Sequence, residues 1–228
     1  MHARILALFI TLALPAFPVL AETVHIPAER DATLIEDGNG ALANGVGPAL
    51  FAGRTGQSAF ALRRALIRFD VAGHLPERAL VDRVFLSLYQ TSGSNPAPHT
   101  VGLHRVLEDW SEGTAFSSGG GGAPAGPGDV TWLHTDYEGE YWVRAGGHFV
   151  KRASASEEGS GPGFYTWQSS SGLISDVRLW LHAPQQNFGW LIRGDEESPQ
   201  SAKRFASREA ASPDQHPVLT IEYHLPGE

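Results

Sequence analysis

The sequence predicts an all-β fold, a jelly-roll-type β-sandwich with one short helix and long Gly/Pro/Ser-rich loops. Three observations carry the prediction. Apolar residues recur at every second position in many short segments, which is the period of a half-buried strand. The 228 residues include 26 Gly and 15 Pro, enough to punctuate those segments with turns. One segment alone carries helical spacing. Short strands and turns with a single helix fit a sandwich.

Taken in order, "TVHIPA" (23–28), "ATLIED" (32–37) and "ALFAGR" (49–54) read as N-terminal strands. "RRALIRFDV" (63–71) puts Ala65, Ile67, Phe69 and Val71 on one face and Arg64, Arg68 and Asp70 on the other, with Leu66 the exception. "DRVFLSLYQ" (82–90) puts Val84, Leu86 and Leu88 inward, and Arg83, Phe85, Ser87 and Tyr89 outward. "NFGWLIRG" (187–194) and "KRFASRE" (203–209) are short strands. "PVLTIEYHL" (217–225) turns Leu219, Ile221, Tyr223 and Leu225 inward. "GLISDVRLWLHAP" (172–184) spaces Leu173, Ile174, Val177, Trp180 and Leu181 as an amphipathic helix that Pro184 stops.

The opening "MHARILALFITLALPAFPVLAE" has the form of a cleavable signal peptide over residues 1–21. Export to the periplasm or beyond is therefore expected. The chain contains no Cys, so its stability must come from packing, with or without a metal ion, and not from cross-links. Acids outnumber Lys and Arg 25 to 17, for a net charge of −8. That argues against a polyanion groove of the nucleic-acid type and leaves neutral polysaccharide open. No segment after the leader is apolar enough to span a membrane.

"WSEGTAFSSGGGGAPAGPGDVTW" (110–132) is either a linker or a loop. Neither side of it contains a self-sufficient set of strands, so residues 22–228 are expected to form one domain with 111–128 as a long edge loop. Such loops are functional or disordered. "RASASEEGSGPGF" (152–164) is expected to be a second loop of this kind. Trp110, Trp132, Trp180 and Trp190 are assigned to the core.

The ordered series "ATLIEDG", "RRALIRFDV", "LSLYQT", "LHRVLEDWSEG", "GDVTWLH", "WVRAGGHF", "DVRLWLHAPQQNFGWLIRG", "KRFASRE" and "PVLTIEY" resembles the DNRLRE-domain family of exported bacterial and archaeal proteins. The resemblance covers nearly all of residues 22–228. It implies a jelly-roll sandwich and kinship with carbohydrate-binding modules that accompany secreted enzymes. Residues 22–228 depart from the family's multi-domain pattern in offering no room for a catalytic domain, so an enzyme-targeting role is not expected.

The residues themselves suggest three kinds of chemistry. No nucleophile or metalloprotease motif occurs, and the acid-rich group Glu108, Asp109, Glu112, Asp129, His134, Asp136 and Glu138 carries no mark of general acid–base work. A small polysaccharide hydrolase or lyase is thus the least favoured reading. "EDGNG" (36–40) opens like an EF-hand and then fails at Ala41 and Pro48. A structural Ca2+ remains open with Asp31, Asp37, Asn39, Glu209 and Glu222 as ligands; an Asx-turn at Asp37 is the competing reading. His25, His134 and His148 are candidates for a spatial cluster. For sugar stacking the candidates are Tyr137, Tyr141, Trp142, Phe85, Tyr89 and Trp167, each of which core packing would explain equally. The favoured function is a non-catalytic exported module that binds polysaccharide or envelope glycan. A structural or adhesive surface protein that binds other proteins is the alternative.

Overall fold

The computed structural model describes residues 21–93 and 95–226, so the expected leader lies outside the described residues except for Ala21. The first half of the chain supplies β1 (Glu22–Pro27), β2 (Arg30–Ile35), β3 (Leu42–Ala43), β4 (Ala49–Arg54) and β5 (Leu62–Arg68). The one-turn helix α1 (Val71–His74), β6 (Leu80–Gly93) and β7 (His99–Arg105) follow. Then come β8 (Ala123–Pro124), β9 (His134–Asp136), β10 (Glu140–Tyr141), β11 (Ala155–Gly159) and β12 (Gly163–Trp167). Helix α2 (Ser171–His182), β13 (Trp190–Arg193), β14 (Lys203–Ala206) and β15 (Val218–His224) complete the series.

The result is an all-β sandwich of antiparallel strands. In the first sheet β6 is the axis. Leu86 pairs with Leu219 of β15 on one edge and Trp167 of β12 on the other; Gln90 pairs with Phe205 of β14 and Gly163 of β12. So β15 and β14 share one edge of β6 end to end, and β12 takes the other. β1 flanks β15, and β4 flanks β14. The second sheet holds β2, β5, β13, β7 and β11 in that order. β4 joins the two, since its last residues, Gly53 and Arg54, pair with β5.

The main core lies between the sheets. Val84, Leu86, Leu88, Leu219 and Ile221 meet Ala65, Ile67, Val101, Leu103 and Ile192 there. α2 adds Leu173, Val177, Trp180 and Leu181 to the same cluster, its first turn capped by the Ser170 hydroxyl, which accepts from Leu173 N at 3.1 Å. Trp180 and Trp190 pack edge to face at 4.5 Å.

A second cluster covers the outer face of the second sheet. Ala32, Leu34, Leu66 and Leu191 meet Val106, Trp110, Val130, Trp132 and Trp142 there. This explains why Leu66 breaks its strand's alternation: the strand is covered on both faces. All four tryptophans assigned to the core are buried.

Strands from both sides of the 111–128 segment interleave in these sheets, so the segment is a loop and not a linker. It is also pinned. Asp129, buried, accepts from the amides of Thr114 (2.6 Å), Ala115 (2.9 Å) and Gly126 (2.7 Å). Gly113, at φ +75°, places its Cα so close that a Cβ would stand 1.9 Å from Asp129 Oδ1. β8, inside the loop, pairs with β3. Composition suggested disorder or a free edge loop because Gly, Ser and Pro carry no apolar signal, and the hydrogen bonds that fix this segment are made by its backbone. The expected second loop is likewise corrected. Residues 152–164 contain β11 and the start of β12. β11 is an edge strand whose Glu157 and Glu158 are charged, as edge strands commonly are, and that hides it from an apolar-period test. "RRALIRFDV" also ends sooner than expected: the strand stops at Arg68, and Asp70 caps α1.

Among the described residues no helix is long and apolar enough to cross a membrane. The Asp129 clamp yields a prediction. Asp129→Ala leaves three loop amides without their acceptor and is expected to lower unfolding stability by about 2–4 kcal/mol. Urea denaturation checks the loss, and amide exchange should quicken at Thr114, Ala115 and Gly126.

Candidate functional site

Alternation along β6 sends Arg83, Phe85, Ser87 and Tyr89 to the outside of the first sheet, opposite the core residues between them. Register then sets their neighbours. Phe164 of β12 stands beside Tyr89, with ring centroids 5.0 Å apart at 77°. Thr166 stands beside Ser87, their hydroxyl oxygens 2.9 Å apart. Thr220 of β15 stands beside Phe85, and Glu222 beside Arg83. The Arg83 guanidinium lies 4.7 Å over the Phe85 ring and 3.5 Å from the Glu222 carboxylate. Phe164 is 59% exposed. The four-residue spacing of Phe85 and Tyr89 puts them roughly 13 Å apart along the strand.

The same face continues across β14 and β4. Arg204 pairs in register with Phe51 and Ser92. Its guanidinium lies 6.0 Å from the Phe51 ring centre and donates to the Thr91 hydroxyl at 2.7 Å. The outer face is thus a row of half-exposed rings interleaved with hydroxyls and guanidinium groups. Phe85 and Tyr89 were expected there from alternation. Phe164, Phe51 and Arg204 were not, because their nearness to Tyr89 depends on strand pairing.

The other aromatic candidates separate. Trp167 is fully buried, on the inward side of β12, and its Nε1 donates to the Val101 carbonyl at 2.8 Å. Trp142 is buried in the second cluster, with Nε1 donating to the Thr131 carbonyl at 3.0 Å. Neither presents a ring to solvent, which corrects both assignments. Tyr137 and Tyr141 do reach the surface, stacked about His134 with ring centroids 5.0 and 4.2 Å from it. Tyr141 is 65% exposed. This smaller patch involves β9 and β10, away from β6.

The proposed metal ligands also divide. Asp31 and Glu209 come together with Glu112 around Arg208. Asp31 N donates to Glu112 Oε1, Arg208 N donates to Asp31 Oδ2, and the Arg208 guanidinium holds Glu112 by Nε (2.9 Å) and Nη2 (2.7 Å) and Glu209 Oε1 at 2.9 Å. Asp31 Oδ1 and Glu209 Oε2 are enclosed without a partner. Burial drives the Asp31 carboxyl well above the usual carboxylate range, and burial also raises Glu209. Asp37, just past the far end of β2, instead closes a turn by accepting from Ala41 N, four residues on, at 2.8 Å; Asn39 is exposed on that turn. Glu222 is the partner of Arg83. Asp37, Asn39 and Glu222 therefore do not join Asp31. Among the described residues no group of three or more His, Asp or Glu has the geometry to hold a metal ion by itself.

The acid-rich group does not converge on a cleft. Glu108 faces His148, Asp109 pairs with Arg30, Glu112 with Arg208, Asp129 clamps the loop, and Asp136 accepts from the Ser111 hydroxyl. His25, His134 and His148 have separate partners in Thr220, Thr131 and Glu108, so the expected histidine cluster does not form. A cleft of about 500 Å³ on the outer side of β7 and β13 is lined by His99, His104, Lys151, Arg193 and Asp195. Asp195 Oδ2 accepts from His99 Nδ1 at 2.9 Å. Hydrogen bonds from Ser198 hold the Asp195 carboxyl far below its usual range, and burial pushes His104 down. Sequence reasoning missed this pair, since residues 99 and 195 share no motif.

No protein-family model and no curated protein matches the chain. The fold and the faces of its sheets therefore carry the functional argument.

The Asp31 cluster predicts a pH dependence. The folded-state pKa lies above the unfolded value, so the folded protein binds the extra proton. Stability is then lost as pH rises from the ordinary carboxylate range through the raised value. Asp31→Asn keeps an acceptor for Arg208 N and removes the buried charge. It is expected to raise the denaturation midpoint at pH 7 and to bring a smaller gain at pH 4. Paired urea curves at the two pH values check this.

Proposed function

We propose that the chain is an exported, non-catalytic module that binds carbohydrate, a polysaccharide or an envelope glycan, on the outer face of its first sheet. One observation carries the reading: Phe85, Tyr89 and Phe164 are held in register on an outward face, with hydroxyls and charged groups between them. Sugars offer C–H faces that stack on rings and hydroxyls that bond to such polar groups. Strands fix the rings, so little order is lost on binding. The leader-like residues 1–21 and the resemblance to the DNRLRE-domain family support the same reading. A surface that docks another protein would favour a continuous apolar patch. Here Arg83, Ser87, Thr166 and Glu222 break the aromatic row, which favours sugar over a protein partner.

A structural Ca2+ belongs to this proposal. It would draw on Asp31 Oδ1 and Glu209 Oε2, the two enclosed oxygens without partners, with further oxygen ligands required to reach six or more. A cation there would offset the cost of burying Asp31 as a carboxylate. Added CaCl2 is expected to raise the thermal midpoint of the wild type and to leave Asp31→Asn unmoved. Scanning calorimetry with CaCl2 or EGTA decides it, and equal midpoints for the wild type remove the metal from the proposal.

The binding face is tested by Phe164→Ala and Tyr89→Ala. Both side chains lie outside the core, so the variants should fold. Each is expected to weaken glycan binding about tenfold, on the order of 1–2 kcal/mol per lost stacking ring. Tyr141→Ala should leave affinity unchanged. A glycan array followed by titration calorimetry reads all three. Loss with Tyr141→Ala alone would move the site to the β9–β10 patch.

A further inference from the structure

The outer face has one open end and one closed end. At the β12 end Phe164 is 59% exposed among the described residues. At Phe51 the Gly-rich loop comes down: a Cβ on Gly120 would meet the Phe51 ring at 3.1 Å. Between the loop and the sheet is a cleft of about 400 Å³, lined by Phe51, Ser92, Arg204, Arg63, Gly120 and Gly121 among others. None of the eleven residues lining it is acidic.

Its two arginines are unusual in a chain of net charge −8. Arg63 is 3% exposed. Its partners are the carbonyls of Gly120, Phe60 and Leu62 and the side-chain amide oxygen of Gln57. These are neutral acceptors, so they satisfy its N–H groups without cancelling its charge. Glu36 attracts it from a distance. Glu36 and Asp37 line a neighbouring hollow that shares Arg63, Gln57 and Gly121 with the cleft, and Glu36 Oε2 accepts from Leu62 N. Arg204 donates to the Thr91 hydroxyl, another neutral partner. Elsewhere most arginines meet carboxylates: Arg64 with Glu196, Arg68 with Glu29, Arg105 with Asp176, Arg208 with Glu112. The lining of the cleft itself thus carries two arginines and no acid.

We propose that this cleft receives the acidic end of a glycan chain, a terminal sugar bearing a carboxylate or a sulfate ester, with Arg204 contacting the anion and Arg63 supplying charge from beneath. The inference rests on the glycan reading of the outer face. The neutral part of the chain lies along Tyr89 and Phe164, and the loop wall at Gly120 stops it. A uniformly acidic polymer is disfavoured, because the protein's own charge repels it while only this end attracts.

The test uses matched oligosaccharides that end in glucose, glucuronate or glucose 6-sulfate, titrated calorimetrically with the full mature chain. The acid-ended ligands are expected to bind about tenfold tighter than the neutral one, a charge-assisted contact. Arg204→Gln should abolish that preference, and Tyr89→Ala should weaken all three ligands alike. Added salt should narrow the gap. Preference for glucuronate alone names the carboxylate as the ligand, and preference for the 6-sulfate alone names the sulfate ester. Equal affinity for acidic and neutral ends, or a preference that survives Arg204→Gln, overturns the acidic-end site and leaves the glycan face standing. Where no oligosaccharide binds, inorganic sulfate separates the two readings. A sulfate-dependent shift of the Arg204 Nε–H resonance keeps the anion cleft and discards the glycan face; no shift overturns the cleft as well.

Discussion

The fold depends on the pairing of β6. This one strand of fourteen residues bonds to β15 and β14 along one edge and to β12 along the other. A strand has period two, so each residue that enters the core commits the next to the outside. Val84, Leu86 and Leu88 cannot be buried between the sheets without turning Phe85, Ser87 and Tyr89 outward. Slippage by one residue would drive two aromatic rings into the core and three aliphatic side chains into water. The same constraint therefore builds the core and presents the aromatic row.

With no disulfide available, the rest of the structure is held by packing and by fixed polar contacts. The tryptophans are divided between two clusters, and several also bond through Nε1: Trp110 to Phe188 O, Trp142 to Thr131 O, Trp167 to Val101 O, and Trp190 to Asp176. The arginines on the outer face of the second sheet lie over rings as well as beside carboxylates. Arg64 is 4.8 Å from the Trp132 ring centre and bonds both oxygens of Glu196. Such bidentate, stacked contacts suit Arg and not Lys, which fits a chain with 15 Arg and two Lys.

What the sequence made legible follows from periodicity. The strands around Ile67, Leu86, Trp190 and Ile221, the α2 helix and the burial of four tryptophans are all local patterns of apolar spacing. So is the outward placement of Phe85 and Tyr89. What it hid is carried by backbone and by register. The 111–128 loop is fixed by amides that meet Asp129 and by pairing of β8 with β3, and neither leaves a trace in side-chain hydrophobicity. β11 is an edge strand of Ala, Ser, Glu and Gly. Trp167 and Phe164 are three residues apart on one strand, so they face opposite ways. The sequence reads Phe164 as the end of a loop, so no strand alternation there marks Trp167 as the inward residue and Phe164 as the outward one. The Arg208 cluster shows a middle case: Asp31 and Glu209, named together from sequence, both meet Arg208, while Glu112, which completes the group, comes from a loop 81 residues away from Asp31.

The two sheets are treated differently by the chain, and the difference bears on function. The outer face of the second sheet is apolar at Ala32, Leu34, Leu66 and Leu191, and the segment from Val106 to Phe149 folds over it with three tryptophans. The outer face of the first sheet carries the rings of Phe85, Tyr89 and Phe164, and among the described residues no comparable apolar cluster covers it. Phe164 stays more than half exposed although burial would be worth roughly 2 kcal/mol. A chain that can fold forty residues onto one face to bury Leu66 has the means to cover Tyr89 and Phe164 too. Leaving them open, in register and interleaved with hydroxyls, forgoes stability, and that supports the proposal of a binding face there. The same long segment marks the limit of that surface, since its Gly120 comes to rest on Phe51. One insertion thus closes the second sheet, bounds the open face of the first, and delivers the backbone carbonyl that holds Arg63 beneath the cleft.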